Sequence, residues 1–139
     1  MSRLLIVFLL LCCSILSSCN EDCRGFKIGS EFEIAVNEAL ENCPENISIT
    51  ISEIQDSRCP SDGNCIWAGM IMVDGELRVD GTVYDLQLSN NPQASGFQEE
   101  FSTSEFTIKL IDAIPYPNFS NLGKAADKRV ILIVSKRST

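Results

Sequence analysis

Ile47-Ser48-Ile49-Thr50-Ile51-Ser52 is a strict alternation of apolar and small polar side chains. Successive side chains of an extended strand point to opposite faces, so this stretch sets three isoleucines against a core and three hydroxyls toward water. The same period continues outward in both directions. Upstream, after Gly29-Ser30, Phe32, Ile34 and Val36 alternate with Glu31, Glu33 and Ala35. Downstream, Tyr84, Leu86 and Leu88 share one face, as do Phe106, Ile108 and Leu110, with Asp112 as the out-of-pattern member. Val130 to Val134 supplies a last apolar strand. A period of two, with almost no repeat at 3.6, predicts strands throughout.

Ile66 to Val73 is apolar on both faces, which predicts a central strand with Trp67 in the core. Asp74-Gly75 then predicts a turn, Leu77 and Val79 a short strand, and Asp80-Gly81 a tight hairpin turn. Ser89 to Ser104, with Asn90-Asn91-Pro92 and Gly96, reads as a surface loop. Pro115 and Pro117 end the long strand before them, because proline removes ladder donors and restricts its predecessor. Asn118 to Lys128 is a second irregular stretch, and Asn37 to Asn42 is the helical candidate. About seven such strands predict an all-β fold built as a two-sheet sandwich, with an immunoglobulin-like topology as one form and a partly open barrel as the alternative.

The first 18 residues read as a signal peptide: Arg3, an apolar run from Leu4 to Leu11, and small residues before Cys19. Leu16-Ser17-Ser18-Cys19 resembles the lipobox of bacterial lipoproteins. That resemblance implies cleavage before Cys19 and a diacylglycerol on its thiol, with residues 19–25 as a lipidated tether and 26–139 as a single domain. Two or more acyl chains anchor stably where one is marginal. Asn20-Glu21-Asp22 is similar to the acidic signal that sends some Bacteroidetes lipoproteins to the cell surface. The expected location is the bacterial cell envelope, lipid-anchored at the outer membrane on its periplasmic or surface face.

Seven cysteines become an even four once Cys12, Cys13 and Cys19 are set aside. Cys23, Cys43, Cys59 and Cys65 allow three pairings, of which Cys59–Cys65 with Cys23–Cys43 is the preferred one. Loop closure gives roughly 2.4 kcal/mol for the short ring and roughly 3.3 kcal/mol for the longer one. Asp56-Ser57-Arg58-Cys59-Pro60, followed by Cys65-Ile66-Trp67-Ala68-Gly69, resembles the SRCP…C.WAG signature of small exported proteins, many of them Bacteroidetes lipoproteins of unknown function. Pro115-Tyr116-Pro117 matches the same group. The resemblance runs from about Phe26 to Val134 and implies a shared β-rich domain with the two loop cysteines bonded. Cys23 and Cys43 lie outside the motif, and their pairing rests on parity and on an oxidising compartment.

The chain carries 19 acidic and 11 basic residues, a net charge of −8, and its leader contains Arg3 but no acid, so the exported body is more negative still. Phosphate binding needs clustered Lys and Arg, which excludes nucleic acid as a partner. The same charge keeps the body off anionic headgroups, leaving the membrane contact to the acyl chains. There is no histidine, which excludes a Ser-His or Cys-His nucleophile within this chain. No cofactor is expected. Asp56, Asp62 and Asn64 are calcium candidates, but their spacing is not that of an EF-hand, and turn capping is the preferred reading. Tyr116 and Phe119, in a proline-rich irregular stretch, are the binding candidates, together with Arg58, which pairs with Asp56 or reaches a ligand. These features predict a non-enzymatic envelope lipoprotein that binds a protein or a glycan. An inhibitor of exported proteases is the alternative, and a hydrolase using carboxylates such as Glu99-Glu100 the third reading.

Overall fold

A computed structural model describes residues 23, 25–91, 93–122, 124 and 127–138. The leader 1–18, Cys19 with its expected acylation and Asn20-Glu21-Asp22 lie outside the described residues. Eight strands form among those described: β1 (Glu31–Ala35), β2 (Ala39–Asn42), β3 (Ile47–Asp56), β4 (Ile71–Val79), β5 (Thr82–Ser89), β6 (Glu100–Ser102), β7 (Phe106–Ile114) and β8 (Arg129–Lys136). They make two four-stranded sheets of order β1-β8-β7-β6 and β2-β3-β4-β5, with every neighbouring pair antiparallel. This is the expected two-sheet sandwich, and it is not closed into a barrel. Strands β2 to β5 stay in one sheet as a meander, so the order differs from the immunoglobulin arrangement, which divides its early strands between two sheets.

The alternation read from the sequence supplies the core. Ile47, Ile49 and Ile51 of β3, Val73 and Leu77 of β4, and Leu86 and Leu88 of β5 face Ile34, Phe106, Ile108, Val130, Leu132 and Val134 of the other sheet, all buried. Two strands change phase along their length. An extra residue at Ser52 in β3 moves the inward position to Ile54, and one at Ile111 in β7 moves it to Ala113. A bulge leaves one residue unpaired and re-aims those that follow. In β7 this explains Asp112, which the alternation marks as anomalous.

Several local expectations are corrected. Asn37 to Asn42 is not helical. Ala39–Asn42 pairs with Ile47–Thr50, and the sheet partner overrides the weak helical preference of Ala39 and Leu40. Asp74-Gly75 is no turn but lies inside β4. Gly75 faces the β3 bulge, where an added Cβ would meet the Thr50 carbonyl at 2.5 Å, so its missing side chain serves sheet packing. Ser89 to Ser104 contains the short edge strand β6. Asp80 and Gly81 do form the two-residue hairpin turn, with φ of 48° and 81°.

The sandwich has two distinct poles. At one, Ile47 pairs with Val79 and Phe106 with Lys136, and Lys136 Nζ reaches Glu45 Oε1 at 2.8 Å across the sheets. Cys23–Cys43 lies here, its Cα atoms 6.3 Å apart, and ties the N-terminal side of the domain to β2. At the other pole Asp56 pairs with Ile71 and Ile114 with Arg129. The ten residues of β3 separate the poles by about 30 Å.

Candidate functional site

At the pole opposite Cys23, the last residue of β3 carries a carboxylate into the space between the sheets. Asp56 is 1% exposed and Arg58 7% at their side chains, yet both are ionised and satisfied. Arg58 Nε and Nη2 each donate to one Asp56 oxygen at 2.8 Å, a bidentate fork. Arg58 Nη1 donates to Asp112 Oδ1 at 2.7 Å, and Nη2 to the Ala113 carbonyl at 2.6 Å. Lys128 Nζ donates to the second Asp56 oxygen. The β7 bulge makes this possible, because it turns Asp112 toward Arg58 while Ala113 enters the core. Strands from both sheets are thereby joined by one ion cluster.

Burial works against the charge on Asp56. Hydrogen bonds from Arg58 and Lys128 outweigh it and hold the carboxyl below its ordinary value. Burial likewise opposes the Arg58 charge, and the Asp56 hydrogen bond, with the charges of Asp56 and Asp112, holds the guanidinium above its ordinary value. One face of that guanidinium lies 4.3 Å from the centre of the Tyr116 ring, a cation–π contact. Arg58 is therefore not available to reach a ligand, because its donors are spent within the domain and Tyr116 lies across it.

Two loops stand on this cluster. Residues 57–70 leave β3 as an irregular hairpin, with Ser57 N donating to Met70 O and Cys59 N to Ala68 O. Gly69 has φ of 71°, and a Cβ there would fall well inside contact with the Ser57 carbonyl and 2.8 Å from Arg58 Cα. Cys59–Cys65 closes the loop, with Cα atoms 5.8 Å apart. Residues 115–122 pack beside it, after a cis Ile114–Pro115 peptide. Ser61 N donates to Pro117 O at 2.9 Å, and Asp62 Oδ1 accepts from Phe119 N at 3.0 Å. Asn118 Oδ1 accepts from Ser120 N, and Asn121 Nδ2 donates to Tyr116 O.

These loops expose five large apolar side chains, among the exposed polar residues Ser61, Asp62, Asn64 and Ser120. Ile66 is 97% exposed, Trp67 78%, Phe119 64%, and Tyr116 and Leu122 are each half exposed. The expectation that Trp67 belongs to a central strand is overturned. Strand β4 begins only at Ile71, and Ile66 and Trp67 stand exposed on the irregular chain that follows the ring closed by Cys59–Cys65. Tyr116 and Phe119 are brought together with this loop, as the hydrogen bonds through Asp62 and Pro117 show. Ile66, Leu122, Asp112 and Lys128 are additions that sequence reasoning did not place at the site.

The calcium candidates are used separately. Asp56 is engaged by two cations, Asp62 caps Phe119 N, and Asn64 is exposed. Among the described residues no group of three or more acidic or thiol side chains is placed to hold a metal ion. A cavity of about 310 Å³ lies at the other pole, between Glu41, Cys43 and Arg78, remote from the loops. Among the described residues no helix is long and apolar enough to cross a membrane.

Fold and site together define a disulfide-stapled β-sandwich that presents an apolar tip from one pole, over a buried ion cluster that fixes the loops. Compared with protein-family models, with characterised proteins and with solved structures, the chain shows no match.

Proposed function

We propose that this chain is a lipid-anchored, non-enzymatic binding module of the bacterial envelope, and that its apolar tip is the binding surface. The observation that carries the reading is polarity. Cys23, four residues from the proposed acylation site Cys19, is bonded at one pole, while Ile66, Trp67, Tyr116 and Phe119 project from the other. A domain tethered by its near pole holds the tip about 30 Å away, toward whatever faces the membrane. The loops are held by a disulfide, an ion cluster and backbone hydrogen bonds, so little ordering entropy remains to be lost on binding. Exposed apolar side chains gathered at one pole of a disulfide-held scaffold, rather than scattered singly, mark interaction sites.

The reading as an exported lipoprotein rests on Arg3, the apolar run, Leu16-Ser17-Ser18-Cys19 and the SRCP…C.WAG resemblance. Intact-mass analysis of the chain purified from membranes tests it, with acyl mass expected on a chain that starts at Cys19. Pull-downs from envelope fractions test the surface. Tyr116→Ala/Phe119→Ala is expected to lose partners that the wild type retains, and an unchanged set of partners overturns the assignment.

A further inference from the structure

We infer that the outer face of the sheet β1-β8-β7-β6 docks a second copy of this chain, about a two-fold axis that runs along β8. Strand β8 is apolar on both faces. Val130, Leu132 and Val134 enter the core, while Ile131 and Ile133 point the other way, half-buried, and do not pack on it. Ile111, the extra residue of the β7 bulge, is exposed beside them. An inner strand with one face in water alternates apolar with polar side chains, as β3 and β4 do with Ser48, Thr50, Glu76 and Arg78. Among the described residues no strand or helix covers the outward face of β8.

Charge selects the occupant. In one row across the sheet, Ile133 stands between two register partners, Glu31 of β1 and Lys109 of β7, both exposed. Adjacent strands are about 4.8 Å apart, so the acid and the base lie equally far from β8 on opposite sides. Turning a second copy about β8 sets Glu31 of each on Lys109 of the other, with Ile131 and Ile133 meeting their own counterparts. A two-fold across the strands would instead lay β1 on β1, with Glu31 and Glu33 of both copies together. Under the axis along β8, Glu33 meets Ile111 and Asp112, and that carboxylate is held by Arg58; Arg129, near the axis, lies 3.8 Å from Glu38. The other sheet offers no such face, since Glu53 is opposite Asp74 and Glu76 opposite Asp85. Two such faces repel. An acid and a base placed symmetrically about an apolar strand suit a two-fold contact, and neither a bilayer nor a glycan has that symmetry.

Four strands, with β8 about 27 Å long, give roughly 500 Å² on each copy, the size of a weak pair. The axis along β8 keeps both Cys23 poles at one end, as two chains anchored in one membrane need, and confinement there raises the effective concentration.

The test uses the full chain in its own cells. Ile133→Cys should give a covalent dimer with a short bismaleimide, and Val83→Cys, on the other sheet, should not. Added to Ile133→Cys, Glu31→Lys alone or Lys109→Glu alone should lower the dimer at least about fivefold, because like charges then face each other twice. The two reversed chains, expressed together with different tags, should restore it as a mixed dimer, because every facing pair is then of opposite sign. Rescue between two chains cannot arise from a contact within one, and it shows that both variants fold. A dimer from Ile133→Cys no stronger than that from Val83→Cys overturns the inference in the otherwise unaltered chain. Reversals that leave the dimer as it is, or a mixed dimer no stronger than the separate ones, overturn it as well.

Discussion

Arg58 and Asp56 stand two residues apart and form a two-pronged ion pair sealed from water, with both contacts at 2.8 Å. The short spacing lets the backbone reinforce it, as Arg58 N also donates to Asp56 Oδ1 at 3.2 Å. What makes the pair structural is its reach, through Lys128 and Asp112, to the opposite sheet. Asp56→Asn leaves two buried cations facing a neutral amide. It should lower stability by about 3–5 kcal/mol, as expected for breaking a buried pair from one side. Lys128→Met removes one donor while the fork remains, and should lower it by about 1.5–3 kcal/mol. Urea midpoints at neutral pH check the order of the two effects.

The same carboxylate gives the fold an acid limit. Its value in the folded protein is lowered below 3.8, so the unfolded chain takes up the proton at a higher pH than the folded one. The contribution is therefore complete above the ordinary carboxylate range and is lost as the pH falls through the lowered value. Stability of the wild type should decline on acidification below about pH 4, and that of Asp56→Asn should decline less over the same window. Melting curves taken along a pH series measure the difference.

Gly69 and Gly96 share a left-handed backbone, with φ of 71° and 83°, but differ in what surrounds them. Gly96 has open space, so Gly96→Ala should cost about 1–2 kcal/mol from backbone strain alone. At Gly69 an added Cβ collides with the Ser57 and Arg58 backbone, which cannot move without disturbing the ion pair. Gly69→Ala should exceed Gly96→Ala by at least about 1 kcal/mol in thermal or urea unfolding. Equal losses would separate the tip from the cluster beneath it.

The two disulfides should act on different parts of the molecule. Cys59→Ser/Cys65→Ser opens a loop of few residues and should lose roughly 2.4 kcal/mol, while Cys23→Ser/Cys43→Ser should lose roughly 3.3 kcal/mol. The first pair should also free Trp67, lowering its fluorescence anisotropy. The second should leave that signal as it is, because it lies at the far pole. A change in Trp67 mobility on removing Cys23–Cys43 would contradict this independence.

How far the sequence was legible follows from the range of the interactions. Ile47 to Ile51 and Phe106 to Leu110 declare strands because their period is local and one face is buried. The Asp80-Gly81 turn is equally local. Strand β2 has only four residues, and β6 three, so their existence depends on partners that periodicity does not reveal. Gly75 resembled a turn signal because its role, close approach to the Thr50 carbonyl beside the β3 bulge, depends on another strand. At the site, Asp56 and Arg58 could be paired by spacing, and Asp112 was visible as a break in alternation. Lys128 lies 72 residues from Asp56, and nothing local marks it as a partner.

Trp67 is where local pattern and structure diverge most, and it offers the cleanest check because it is the sole tryptophan. Ile66 to Val73 reads as a strand apolar on both faces, for which Trp67→Ala would remove core packing and lower stability by about 3–5 kcal/mol. In the folded chain the side chain is 78% exposed at the end of a closed loop. Truncating it there should change stability by less than about 0.5 kcal/mol, as for other surface substitutions. Its fluorescence should be that of a water-exposed indole, quenched by acrylamide nearly as efficiently in the native protein as in urea. Tyr116→Ala, by contrast, uncovers the Arg58 guanidinium and should lower stability by about 0.5–2 kcal/mol through the lost cation–π contact. A protected indole with a strongly destabilising Trp67→Ala would return this segment to the core. A freely quenched indole, with Tyr116→Ala the more damaging change, would establish that the tip is exposed outward and fastened from below.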